Sequence, residues 1–186
     1  MYKQLAMVIF AVLCSSPAQH SSAGEPVEVT YEYQGKTGVN LGRIVGGPLS
    51  VNAFTDQRNE PQTEEIQRPG KDPITLTELA PHALVQSAIV SAFEHSGASL
   101  GEPGSPLALD GKLIEMKVQD TETGLEVLIR CELTLRNQGR NAWQSVVFGR
   151  AVLDGQDVAS AIALGLDKLI TELFRDDYFL MELGVL

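Results

Sequence analysis

The chain has 186 residues, with 14 Lys and Arg against 24 Asp and Glu, three His and two Cys. A net charge of −10 excludes nucleic acid as a partner, because phosphate binding draws its affinity from basic side chains, and it excludes adhesion to anionic headgroups through a basic patch. An apolar share of 44% with 20% charged residues belongs to a folded domain, so wholesale disorder is excluded as well.

The opening 23 residues carry one charge, Lys3, ahead of the apolar run Leu5–Leu13. Nine residues rise about 14 Å as a helix and fall short of a hydrocarbon core about 30 Å thick. The run has the length of a signal-peptide core. Small residues follow at Ser15-Ser16-Pro17-Ala18 and Ser21-Ser22-Ala23, either of which suits a signal peptidase. Cys14 stands where a lipoprotein carries its acylated cysteine, although Leu13 replaces the small residue that such processing prefers. Two expectations stay open: a signal peptide spanning residues 1–23, or a lipoprotein signal ending before Cys14. Either sends a single domain, residues 24–186, to the cell envelope, with 13 basic and 24 acidic side chains and no further membrane-spanning run.

Val27–Tyr33 alternates and is rich in β-formers, which predicts a strand. Glycines at 35, 38, 42, 46 and 47 make the next stretch a loop with room for a short strand at Asn40–Val45, and Leu49–Phe54 reads as another strand. Thr55–Pro73 turns polar and proline-rich, a long loop of the kind that carries function or stays mobile. A helix is expected from an N-cap at Thr77, with Pro81 in its first turn and Gly97 as its stop. Leu109–Gln119, Leu125–Arg136 and Trp143–Val152 are strands joined by short turns, an antiparallel meander. A second helix starts at Asp154–Asp157 and runs to about Phe174, with Gly165 allowing close approach to a sheet. The last nine residues, Tyr178–Leu186, are mostly apolar and read either as an element tucked against the core or as an exposed patch for a partner. The order predicts an α+β two-layer sandwich, an antiparallel-rich sheet with two main helices packed on one face.

Catalytic spellings are present but out of context. Gly97-Ala98-Ser99-Leu100-Gly101 matches a nucleophile elbow, yet a helix precedes it where a strand is needed, and no His follows Ser99. Gly42–Gly47 lacks the Lys-Ser/Thr of a phosphate loop. His82 and His95 point to different sides of one helix and cannot share a metal. Asp120, Glu122, Asp154 and Asp157 fall at turns and a helix start, where carboxylates cap free N–H groups. Cys131 falls on the inward face of its strand, as a small hydrophobe. The expectation is a non-enzyme with no cofactor and no metal.

Asp56-Gln57-Arg58, at a strand exit, can pin that exit by an ion pair or meet a partner. The run Leu49–Arg58, with its V-N-x-x-x-D-Q-R spelling at Val51–Arg58, resembles the strand-to-loop segment of the YajG-type family of bacterial envelope lipoproteins. The likeness extends through Ile74–Thr77, the helix ending at Gly97 and the later strands, over about residues 27–175. It implies a small α/β domain anchored in the outer membrane and facing the periplasm, with no catalytic residues to carry over. The functional expectation is a periplasmic or outer-membrane-tethered binding or assembly module with envelope protein partners. The alternative is an auxiliary lipoprotein of an envelope transport system, handling lipid or substrate. Asp56, Arg58, Trp143, Tyr178, Phe179 and Leu180 are the candidate contacts, and Cys14 the candidate lipid anchor to the outer membrane.

Overall fold

Residues 24–35, 37–59 and 64–186 are described in a computed structural model of the chain. The leader and Cys14 lie outside the described residues. Three long strands dominate: β6 (Leu107–Asp120), β7 (Gly124–Asn137) and β8 (Arg140–Asp154). They pair antiparallel in sequence order, as the meander reading expects, and run a few residues beyond the predicted ends. Leu125, Val127, Ile129, Cys131, Leu133 and Leu135 of β7 are all fully buried, so period-two alternation here marks a sheet with one covered face.

Ahead of them come β1 (Glu25–Val27), β2 (Leu49–Val51), β3 (Thr55–Asp56), β4 (Glu65–Ile66), β5 (Ile74–Leu76) and α1 (Pro81–His95). β2 and β3 both lie parallel to β6 and complete a five-stranded sheet, whereas β1, β5 and β4 make a small second sheet. After β8 come α2 (Val158–Leu173) and α3 (Asp177–Glu182). α2 lies against β8 and β7, and α1 against β6. The result is the expected α+β sandwich, helices on one face of an antiparallel-rich sheet.

Several boundaries differ from the sequence reading, each for a physical reason. Of the alternating run Val27–Tyr33 only Val27 joins a ladder, as the last residue of β1 opposite Leu76, and the rest is extended chain outside the sheets. Tyr33 is buried with its ring edge-on to His95 and Phe174, and the Tyr31 hydroxyl donates to Asp167 on α2 at 2.8 Å. Asn40–Val45 forms turns, with the Leu41 amide bonded to the Ser96 carbonyl and the Val45 amide to that of Leu183. The Leu49–Phe54 strand stops at Val51, and Phe54 lays its ring over Gly111 before pairing resumes at Thr55. Thr55–Pro73 is less irregular than expected, holding β3, β4 and a bridge from Gln67 to Lys117. α1 starts at Pro81 after Ala80, because the Thr77 amide bonds to the Val27 carbonyl. Its stop at Gly97 is as expected, with φ +84° there. Asp157 caps α2 by accepting from the Ser160 amide, and Asp176 caps α3 by accepting from that of Phe179.

The interlayer space is filled by aromatic rings. Phe93 of α1 meets Phe174 at 5.7 Å and Phe179 at 6.3 Å between centroids, and Trp143 of β8 lies 4.9 Å from Phe179. Near the middle of α2 the helix comes down onto the sheet, with Gly165 over Val127 and Ile129 and Gly149 of β8 beneath the Gly165 carbonyl. Glycine on both sides lets two backbones meet where any side chain would hold them apart.

Candidate functional site

Several of the groups singled out for chemistry are engaged within the fold. The Ser99 carbonyl accepts from the Leu49 amide at 3.0 Å, and Leu100 bridges to Leu49, so the Gly97–Gly101 segment is a seam onto β2. Burial pushes the Cys131 thiol up to about 12, which leaves it unionised at neutral pH. His95 sits edge-on to Tyr33, and His82 lies near Asp56 at the other end of α1. Among the described residues no three His, Cys, Asp or Glu converge as metal ligands.

Two buried arginines organise the polar loops. The Arg58 guanidinium reaches Asp56 at 2.7 Å and donates to the Glu65 carbonyl at 2.7 Å, tying β3 to β4. Burial works against the Asp56 carboxylate, but the Arg58 hydrogen bonds and charge outweigh it and hold its pKa below the ordinary value. Arg68 binds Asp120 through two 3.0 Å hydrogen bonds and Glu25 through a third at 3.0 Å, joining β1, the 64–73 segment and the end of β6. With Lys71 also on Asp120 at 2.8 Å, the Arg68 and Lys71 hydrogen bonds bring the Asp120 carboxyl down to about 2. Nothing in the sequence pattern singles out Arg68, because its partners lie 43 and 52 positions away.

Of the six candidate contact residues, Tyr178 alone projects its side chain into solvent, at 75% exposure. Trp143, Phe179 and Leu180 are buried, and the Trp143 indole N–H donates to Asp176 at 3.1 Å. Asp56 and Arg58 are spent on each other. The tail is therefore mainly the tucked element of the two readings, with Tyr178, Met181 and Leu186 left outward.

The surface the fold does offer is the helix-free face of the long sheet and its β8 margin. Ion pairs cross that face: Lys112 to Glu132 at 2.6 Å, Arg130 to Glu115 at 3.2 Å, Arg136 to Asp110 at 2.6 Å, and Arg150 to Glu126. Between them stand apolar side chains, Phe148 with the Arg130 guanidinium 5.4 Å from its ring centre, and Val152, both about half exposed. β8 ends the sheet, paired only to β7 among the described strands. Beside it an open groove of about 490 Å³ runs between Ser145–Phe148 and the α2 side chains Lys168 and Glu172.

No protein-family model and no curated protein matches the chain. Among solved structures it is similar to protein XCC0632 from Xanthomonas campestris, of the DUF330 family, at 12% identity and a TM-score of 0.60. That match covers 86% of this chain and 96% of the other. The PelC dodecamer from Paraburkholderia phytofirmans matches at 12% identity and TM-score 0.43, over 68% of this chain and 87% of that one. Lipoprotein GNA1162 from Neisseria meningitidis matches at 7% identity and TM-score 0.39, over 63% and 91%. The XCC0632 likeness establishes a shared fold.

Proposed function

We propose that the chain is a non-enzymatic binding or assembly module of a bacterial cell envelope, working in the periplasm or tethered to the outer membrane through Cys14. The leader carries this reading: Lys3, the Leu5–Leu13 run and the small residues after it form an export signal ahead of one acidic domain. The resemblance of Val51–Arg58 to the YajG-type lipoproteins points the same way. Work by contact is supported by where the polar groups go. Asp56, Arg58, Arg68 and Asp120 are consumed in ties between elements, while the exposed sheet face mixes charge with apolar area as interaction surfaces do. Lipid carriage draws less support, because Phe93, Phe174 and Phe179 fill the space between helices and sheet.

Intact mass measurement of the protein taken from its native membrane fraction tests the address. A diacylglyceryl mass on Cys14 supports the tethered form, and a chain beginning near Gln19 or Gly24 supports the free periplasmic form. Full-length protein, leader attached, in the cytosolic fraction would refute both.

A further inference from the structure

β8 is 15 residues long, roughly 50 Å of strand, and its outward side carries no ladder partner among the described strands. A long free edge is a template for another strand unless charge, proline or a covering element blunts it. Here the middle of the edge, Ser145–Phe148, holds no charge and no proline, and it opens onto the groove beside α2. On the reading of this surface as one that works by contact, we infer that its occupant is a second copy of the chain. The two β8 strands pair antiparallel about a two-fold axis at Val147 and fuse two sheets into one.

Charge fits that register and disfavours two of its neighbours. Centring on Val147 sets Phe148 against Val146 of the second copy and Arg150 against Gln144, and it brings Arg140, beyond the irregularity at Ala142, to the end where Asp154 of the second copy stands. Centring on Ser145 would oppose Arg140 to Arg150, and centring on Arg150 would oppose that side chain to its own copy, both repulsive. The flank agrees. Lys168 and Glu172, one turn apart on α2 beside the groove, offer opposite charges to their symmetry copies.

The test is the mass of the purified protein by light scattering and sedimentation across a concentration series, for the parent, Val146→Lys, Phe148→Glu and the double variant. All four should give the same circular dichroism, because both side chains lie on the helix-free face, where each new charge stands opposite one of the other sign on β7, Glu132 or Arg130. The parent should sediment as two chains. Each single substitution should weaken the dimer at least tenfold, and the double variant, which faces opposite charges across the axis, should recover to within about threefold of the parent. A parent that stays monomeric up to about 100 µM would overturn the inference and leave the export test above untouched. A dimer indifferent to the single substitutions, or not restored by the double, would place the contact elsewhere and overturn it equally.

Discussion

Replacing Gly149 by Ala tests the close approach of α2 to the sheet, and the sign of the effect decides the matter. On β-strands alanine is favoured over glycine by roughly 0.5–1 kcal/mol, so an unobstructed site would gain stability. At Gly149 the new Cβ would overlap the Gly165 carbonyl oxygen and stand 3.0 Å from both the amide nitrogen and the Cβ of Leu169. Comfortable separations are about 3.5–4.0 Å, and the obstructing atoms belong to the helix backbone and its Cβ, so α2 must rise as a body by about 1 Å. That lift loosens Ile162, Leu166, Leu169 and Leu173 together, all of which are buried. Overpacking of this kind costs about 1–3 kcal/mol, which outweighs the propensity gain and leaves a net loss of about 1–2 kcal/mol. Urea unfolding should show the loss as a lower midpoint at constant slope, and thermal unfolding as a fall of roughly 3–8 °C. Gly111→Ala is the comparison. There the new Cβ meets the ring of Phe54, a buried side chain and not backbone, so its cost should be the smaller of the two. A Gly149→Ala protein as stable as its parent, or more so, would refute the backbone contact.

Acid should find the Arg68 cluster. The folded Asp120 carboxyl lies at about 2 against an ordinary 3.8, so its pairing stabilises the fold fully above about pH 4 and is lost as the pH falls through about 2. Arg68→Met should flatten the decline of the urea midpoint between pH 4 and 2, and an unchanged decline would contradict the pairing. Cys131 should resist Ellman's reagent in the native protein and react at once in guanidinium, since its thiol is both fully buried and pushed up to about 12. Phe179→Ala should cost about 3–5 kcal/mol. It should also shift the emission of Trp143, the chain's one tryptophan, to the red, because the ring 4.9 Å from the indole is what keeps water off it.

The fold was legible wherever the sequence pattern had a single physical cause. The meander and α2 answer to strict periodicity and to turn and cap residues, and Asp157 and Gly97 mark their helix ends in both sequence and structure. Gly165 announced close helix–sheet packing, but its counterpart Gly149 lies 16 positions away inside an apolar strand and carried no local sign. The failures come where one pattern serves two causes. Alternation at Val27–Tyr33 satisfies a strand, yet it satisfies equally well an extended segment that buries Tyr33 and half-buries Tyr31 beside α1 and α2. Pairings such as Gln67 with Lys117, or Arg68 with Asp120, join residues about 50 apart, beyond the reach of any local rule.

The same ambiguity explains the fate of the candidate contacts. Aromatic and arginine side chains are favoured at interfaces because they combine large apolar area with a polar handle. Those properties also suit the interior of a thin two-layer domain, where Trp143 needs Asp176 for its N–H and Arg58 needs Asp56 and Glu65. With such residues drawn inward, the outward surface is left to ion pairs spread across β6, β7 and β8 and to a few apolar side chains, Phe148 and Val152 among them. Exposed pairs of this sort contribute little to stability, a median of about 0–1 kcal/mol each. A free strand edge alongside them presents unsatisfied backbone groups that side-chain composition cannot reveal. On the proposed reading, recognition on this scaffold follows strand order more than residue type, and strand order is what a single sequence states least directly.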